Sequence, residues 1–210
     1  MGGRAAIVKL KLVLVDPLDE VCAAWKEHFE GLSNVKIVNG CFEDLRAFDC
    51  MVSAANSFGL MDGGVDLSIV RFFGYELMDR VQERVLADYL GEQPVGTCFI
   101  VETGHAKHPY LAHTPTMRVP MPITRTDNVY RAMWAMLLAI RQHNLASKSK
   151  QIKTVVCPGL GTATGRVPAR EAARQMAAAY RHFLEPPARI SWRYAAIRHD
   201  AVGYGGDPDL

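Results

Sequence analysis

Residues 49–66 have the sequence DCMVSAANSFGLMDGGVD. The stretch begins with a short apolar run, Asp49 to Ser53, that predicts a buried strand, and it continues into small residues and glycines. From Asp66 to about Tyr89 the apolar residues keep helical spacing, with Gly74 predicted to break or kink the helix. A strand, a glycine-rich loop and a helix in this order indicate one strand-to-helix unit of an α/β protein.

Strands and helices alternate along the rest of the chain as well. Apolar runs predict strands at Ile7 to Val15, Val35 to Val38, Thr97 to Glu102, Tyr110 to His113, Thr154 to Cys157 and Ile190 to Ile197. Helical spacing predicts further helices from Pro17 to the stop at Gly31, from Thr126 to about Asn144 and from Pro168 to Leu184. We therefore predict an α/β fold, a three-layer αβα sandwich with a mixed, mainly parallel central sheet. In such sheets ligands bind beyond the carboxyl ends of the strands.

Length and composition favour one globular domain. The 210 residues are 49% hydrophobic and 22% charged, which predicts a single domain over residues 1–200 with a frayed tail at 201–210. The formal net charge of +2 gives no strong nucleic-acid signal. Five cysteines without Cys-x-x-Cys spacing indicate reduced thiols and predict a cytoplasmic protein. No membrane segment, metal site or cofactor is predicted, and nothing in the sequence specifies an oligomer.

The loop that closes the quoted stretch has the features of an anion site. Gly63 and Gly64 lack the side chains that would shield backbone amides, and they stand where a helix begins. The unpaired amides and the positive dipole end of a helix favour a bound anion. The simpler interpretation is a tight turn with Asp66 as a helix cap.

A second glycine-rich loop, PGLGTATGRVP at residues 158–168, also lies between an apolar strand and a helix. Three glycines, two threonines and Arg166 are suited to holding phosphate, although an exposed arginine at the start of a helix is an equal alternative for Arg166. A dinucleotide fingerprint is disfavoured, because Pro168 delays the helix and the segment Ile190 to Ile197 ends at Arg198 rather than at an acidic residue.

Together the two loops resemble those of the macro domain family. The first resembles that family's Asn-Ala-Ala-Asn, glycine run and Val-Asp motif, through Ala54 to Asn56 and Gly63 to Asp66. The second resembles its phosphate loop, through Pro158 to Thr162. The resemblance covers roughly Val35 to Leu184 in matching element order.

The resemblance implies ADP-ribose as the ligand, with its diphosphate between the loops and its distal ribose beside Asn56. It implies Asn56 and Asp66 as the catalytic pair of a hydrolase. The implied ligand-binding residues are Cys41, Phe42, Ala55, Phe58, Gly63, Gly64, Val65, Gly159, Gly161, Thr162, Ala163, Thr164, Gly165 and Arg166.

The chain departs from the family at the adenine end. In the run Gly40, Cys41, Phe42, a cysteine stands where the family carries the Asp that recognises adenine. A thiol is a poor acceptor for an exocyclic amine, so we expect permissive recognition of the base. Glu43 or Asp44 is an alternative acceptor, and the simpler interpretation of both is surface charge on a short turn.

The two implied catalytic side chains suit different tasks. Asn56 offers a donor and an acceptor to ribose hydroxyls, and Asp66 is placed to orient or deprotonate a water. A carboxylate in the first turn of a helix is expected to be stabilised in its charged form, which makes it a weaker base. We therefore favour Asp66 as a residue that positions water. Ser53 replaces the first Asn of the family motif.

Three functions compete. The first is hydrolysis at the distal ribose of mono-ADP-ribosylated protein or O-acyl-ADP-ribose, and the second is a module that reads ADP-ribose without turnover. The third, a nicotinamide-dependent oxidoreductase, is disfavoured by the second loop.

Outside the loops, His113 is interpreted as a hydrogen-bonded core histidine and Cys157 as a packed thiol. His105 and His108 show no metal-ligand spacing.

Overall fold

A computed structural model describes residues 10–147 and 149–206, which form a six-stranded sheet between two layers of helices. The strand order is β2-β1-β6-β3-β5-β4. All neighbouring pairs are parallel except β4 and β5, which are antiparallel. The predicted mixed, mainly parallel sheet is confirmed. The strands are β1 (Lys11–Asp16), β2 (Val35–Asn39), β3 (Cys50–Ser53), β4 (Phe99–Glu102), β5 (Tyr110–His113) and β6 (Thr154–Cys157).

The helices lie on both faces of the sheet. They are α1 (Asp19–His28), α2 (Gly64–Phe73), α3 (Glu76–Tyr89), α4 (Asn128–Ala146), α5 (Ala169–Leu184) and α6 (Trp192–Val202), with a short 3-10 helix at Phe42–Asp44. The predicted break at Gly74 separates α2 from α3, because this glycine has a φ of 103° that continues neither helix.

Strand β1 shows why the central strands are continuous apolar runs. Leu12 and Leu14 pack into the core that α1, α4 and α5 cover. Val13 and Val15 point to the opposite face and pack into the core under α2 and α3. Both faces of the strand are buried, so no polar alternation remains in its sequence. Residues 7–9 of the predicted first strand lie outside the described residues.

The predicted last strand, Ile190 to Ile197, is wrong: this segment forms the start of α6. The hydroxyl of Ser191 caps the helix by accepting a hydrogen bond from the backbone amide of Tyr194 at 3.1 Å. Most of the segment is exposed, Trp192 among its residues, so its apolar character does not mark a core strand.

The end of α6 is fixed to the body of the domain. Ala201 and Val202 are buried, and the Arg174 guanidinium donates to the carbonyl oxygens of Ala201 and Gly203 at 2.6 Å each. The frayed tail predicted for 201–210 stays a prediction for its last four residues, which are outside the described part. Among the helices that the structure describes, none is both long and apolar enough to cross a bilayer.

Candidate ligand-binding site

A cavity of about 550 Å³ opens along the carboxyl edge of the sheet. Its lining follows the ends of five adjacent strands, with Gly40 after β2, Asp16 on β1, Pro158 after β6, Ala54 after β3 and Thr116 beyond β5. Four strand spacings of roughly 4.8 Å give the sheet edge that it follows a length of about 19 Å. An elongated ligand therefore has room to lie across the sheet edge, with different groups at its two ends.

The first loop exposes backbone to this cavity. Gly63 and Gly64 line it at the start of α2, and beyond the adjacent backbone a Cβ on either residue would meet open space. No side chain caps this end of α2, so the amides of its first turn stay available. The predicted anion-binding character of the loop is consistent with this geometry.

The glycines of the second loop serve the loop itself. A Cβ on Gly159 would lie 2.6 Å from Oγ1 of Thr162 and 2.8 Å from Oδ2 of Asp16. A Cβ on Gly165 would lie 2.5 Å from the carbonyl oxygen of Gly161. The loop is therefore folded too tightly for side chains at these positions, whatever ligand it binds.

Asp16 connects the strand β1 to the second loop, a role that the sequence did not indicate. Its Oδ1 accepts from the Leu18 amide at 3.0 Å and its Oδ2 accepts from the Gly159 amide at 3.3 Å. The helix predicted from Pro17 begins only at Asp19, so Asp16 lies outside α1. An acidic residue at the carboxyl end of a buried strand is the signal that could have placed it in the site.

Asp66 lies in the first turn of α2 with its side chain turned inward. It is only 6% exposed, and its Oδ1 accepts a 2.7 Å hydrogen bond from the hydroxyl of Ser53, the last residue of β3. Both Asp66 and the neighbouring Asp62 line the cavity. The structure therefore brings Asp66 to the cavity wall but leaves the helix uncapped, contrary to the cap interpretation.

The expectation that the helix terminus stabilises the charged form of Asp66 is wrong. Burial raises the pKa of this carboxyl to about 6; the Ser53 hydrogen bond opposes the shift and the nearby Asp62 adds to it. Desolvation outweighs the helix terminus because the carboxylate is almost fully removed from water. Asp66 is therefore a stronger base than its sequence position suggests.

Asn56 also lines the cavity, but its side chain mainly shapes its own loop. Nδ2 donates to the Leu60 carbonyl oxygen at 2.7 Å. Oδ1 accepts from the amides of Phe58 and Leu60 at 3.0 and 3.3 Å. Only one N–H of the side-chain amide is left for a ligand. The sequence predicted that both a donor and an acceptor would be available to ribose hydroxyls.

The other end of the cavity lies beside β2. Cys41 is exposed and Phe42 is buried, and both line the cavity together with Leu18 and Glu43. Asp44 does not line it. The apolar surfaces of Leu18 and Phe42 offer contact to a flat ring at this end.

The cavity contains most of the predicted ligand-binding residues. These are Cys41, Phe42, Ala55, Gly63, Gly64, Val65, Gly159, Gly161, Thr162, Ala163, Thr164 and Gly165. Phe58 and Arg166 do not line it, and Arg166 is exposed with a φ of 52°. Their contact with a ligand stays a prediction that their position does not support.

The remaining candidates lie elsewhere. His113 is fully buried beside Gln93, with 2.6 Å between its Nδ1 and Gln93 Oε1, and burial lowers its pKa to about 3. This is the predicted core histidine. Cys157 is buried, as predicted for a packed thiol. Within residues 10–147 and 149–206, no cluster of His, Cys, Asp and Glu is arranged to hold a metal ion.

Comparison with known proteins identifies the family of the chain. The family model of the macro domain matches residues 52–176, more than half of the chain. An uncharacterized protein of Aquifex aeolicus is 35% identical over 150 residues, which are 71% of this chain and 82% of that protein.

Solved structures show the same fold. A mutant of the Oceanobacillus iheyensis macrodomain, with ADPR, has a TM-score of 0.60 at 18% identity, over 93% of this chain and 94% of that one. The macrodomain of Mycobacterium tuberculosis DarG has a TM-score of 0.55 at 22% identity, over 68% of this chain and 88% of that one. The chain belongs to the macro domain family.

Proposed function

We propose that the protein binds ADP-ribose in the cavity at the sheet edge and hydrolyses the linkage at its distal ribose. The substrates are mono-ADP-ribosylated protein or O-acyl-ADP-ribose. The observation that carries the proposal is a buried carboxylate, Asp66, on the wall of a long cavity with two phosphate-type loops. The solved structure of the Oceanobacillus iheyensis macrodomain mutant with ADPR has a similar fold and supports ADP-ribose as the proposed ligand.

The proposed placement follows the geometry of the loops. The diphosphate lies at the middle of the cavity, between the first-turn amides of α2 and the second loop. The adenine lies at the β2 end beside Cys41 and Phe42, and the distal ribose lies beside Asn56 and Asp66. A length of about 19 Å for the lined sheet edge suits an extended nucleotide diphosphate sugar.

In the proposed reaction, the Asp66 carboxylate accepts a proton from a water held against it. The water oxygen bonds to the carbon of the linkage as the bond from that carbon to the departing oxygen breaks with its electron pair on that oxygen, and the proton held by Asp66 then passes to the departing oxygen. A pKa of about 6 leaves the group mostly ionised at pH 7 and still basic enough for this transfer. The Ser53 hydroxyl holds the carboxylate in place.

The second candidate is a reader that binds ADP-ribose without turnover. It is favoured by Asn56, whose side chain makes three hydrogen bonds within its own loop and so contributes little to a catalytic pair. The two functions share the cavity and differ only in turnover.

The experiment is a time course of ADP-ribose release from mono-ADP-ribosylated protein and from O-acetyl-ADP-ribose. We expect release with the wild type and a loss of about a hundredfold or more with Asp66→Asn. Calorimetry with ADP-ribose, AMP and NAD is the accompanying binding test, and ADP-ribose should bind more tightly than AMP. Tight binding with no release from either substrate would establish the reader instead.

A further inference from the structure

An exposed apolar strip borders the cavity. Residues 119–122 have the sequence VPMP and are all exposed, with Val119 46% and Met121 45% accessible. Leu60, which is 47% accessible, belongs to the same border, since it and Pro120 both line the cavity. Four consecutive apolar residues in solvent are uncommon on a soluble domain unless they bind something.

The strip is held at both of its ends by the ligand-binding loops. At one end the Ser57 amide of the first loop donates to the Arg118 carbonyl oxygen at 3.1 Å. At the other, the Ile123 amide donates to the carbonyl oxygen of Gly165 in the second loop at 2.8 Å. The strip therefore runs from one loop to the other beside the cavity, and its two prolines restrict its backbone further.

Leu60 and the start of the strip lie beside Asn56, because the Asn56 side chain donates to the Leu60 carbonyl oxygen and the Ser57 amide donates to the Arg118 carbonyl oxygen. Pro120 and Leu60 line the cavity together with Asn56, beside which the proposed function places the distal ribose. Whatever is attached to that ribose must leave the cavity over this border.

The charges at this end favour a protein over a nucleic acid. The Arg118 guanidinium is engaged by Glu92, with N–O distances of 2.7 and 2.8 Å. Asp62 adds a negative charge to the lining. A nucleic-acid target needs unpaired basic side chains at the point of exit. Two exposed arginines near the Gly165 end, Arg125 and Arg166, are the feature that such a target would use, and neither lines the cavity.

We propose that Leu60 and the strip at residues 119–122 dock the apolar flank of the protein segment that carries the ADP-ribose. This inference rests on the proposed function and adds the class of the target to it. The protein recognises more than the nucleotide: it selects modification sites that have apolar neighbours.

The test compares four ligands by calorimetry. They are free ADP-ribose, a peptide with Leu and Val neighbours joined to the distal ribose by a non-hydrolysable linkage, the same conjugate with Ser and Gln neighbours, and an oligonucleotide conjugate. The proteins are the wild type, the double variant Val119→Ser with Met121→Ser, and Leu86→Ser as a control. Leu86 is 66% exposed on α3 and does not line the cavity.

We expect the wild type to bind the apolar conjugate at least about fivefold more tightly than free ADP-ribose, because the contact removes apolar surface from water. The double variant should lose this gain and bind free ADP-ribose within twofold of the wild type. Leu86→Ser should behave as the wild type.

Three results would overturn the inference while leaving the proposed function intact. The first is a gain in affinity for the apolar conjugate that persists in the double variant. The second is a larger gain in affinity for the oligonucleotide conjugate than for the apolar conjugate. The third is a loss of affinity for free ADP-ribose in the double variant that equals its loss for the apolar conjugate. That result would make the strip part of the nucleotide site. A wild type that does not bind ADP-ribose at all would instead remove the proposed function and this inference with it.

Discussion

The hydroxyl of Ser53 donates a 2.7 Å hydrogen bond to Oδ1 of Asp66, which joins the last residue of β3 to the first turn of α2. Both residues are buried, so the bond is shielded from water. Ser53 stands at a position where the family motif has an asparagine, and its hydroxyl is one of the few groups that offset the burial of the carboxylate. The hydrogen bond therefore orients Asp66 and partly offsets the rise in its pKa that burial causes.

The first prediction concerns Ser53→Ala. Removing the hydroxyl takes away a hydrogen bond to the charged form of Asp66, so we expect the pKa of this carboxyl to rise further above about 6. The acid limb of the rate profile should move to higher pH in parallel. A carboxyl carbon NMR titration checks the pKa directly, and Ser53→Thr, which keeps a hydroxyl, is the control. An unchanged titration would contradict the role given to Ser53.

The second prediction concerns stability. The pKa of Asp66 is about 6 in the folded chain and 3.8 as the ordinary value, so the folded state binds more protons between these pH values. The stabilising contribution is complete below pH 3.8 and is lost as the pH rises through 6. Asp66→Asn, which stays neutral, should therefore be more stable than the wild type at pH 8, by up to about 3 kcal/mol, and similar near pH 4.

Denaturant unfolding of the ligand-free protein at both pH values measures this difference. Glu83→Gln is the control, since Glu83 is exposed on α3 and is not among the groups that shift the pKa of Asp66, and its replacement should give no comparable gain at pH 8. A stability gain for Asp66→Asn of equal size at pH 4 and pH 8 would show that the burial of charge is not its cause.

The third prediction separates the glycines of the two loops. Gly63 has an extended φ of −148° and open space where a Cβ would lie, so Gly63→Ala should leave stability unchanged and weaken ADP-ribose binding about tenfold. Gly159→Ala would place its Cβ against Thr162 and Asp16 and should destabilise the fold by about 1–3 kcal/mol. Calorimetry and thermal melting of the two variants distinguish these effects. A stability loss in Gly63→Ala would show that the first loop is as tightly folded as the second.

Much of this arrangement follows from the sequence, because apolar periodicity reports burial. The continuous apolar run of β1 and the helical spacing of α2 and α3 predict their places correctly. The two loops are recognisable because their glycines and motif residues are contiguous in the chain. The prediction of a last strand fails because the apolar residues at the start of α6 are mostly exposed. A pattern of residue types does not distinguish exposed apolar residues from buried ones.

The chemistry of the site depends on contacts between distant residues and is less predictable. The bond between Asp16 and the Gly159 amide joins positions 143 residues apart. The pKa of Asp66 depends on how completely the surrounding elements exclude water, which its place in a helix does not reveal. Sequence therefore identifies the residues of the site better than it identifies their protonation states.

The fourth prediction concerns the base. Cys41 lies at the β2 end of the cavity and has no carboxylate to accept a hydrogen bond from the exocyclic amine of adenine. ADP-ribose and its hypoxanthine analogue should therefore bind with affinities within about threefold of each other. Cys41→Asp should increase the preference for adenine. A large preference in the wild type would mean that Asp16, Glu43 or the backbone supplies the acceptor, and loss of that preference in Glu43→Gln would identify Glu43.

The last prediction concerns Asn56, whose side chain holds the turn from residue 56 to residue 60 through three hydrogen bonds. Asn56→Ala removes all three, so the first loop should loosen. We expect weaker ADP-ribose binding and slower turnover by similar factors, each on the order of tenfold. Asp66→Asn should behave differently, because it leaves the turn intact and removes only the base. Its binding should stay within a few-fold of the wild type, while kcat falls by about a hundredfold or more. Steady-state kinetics beside calorimetry on both variants separates loop shaping from proton transfer. If Asn56→Ala keeps full affinity and loses only kcat, Asn56 acts on the reacting ribose, and the loop-shaping role assigned to it is wrong.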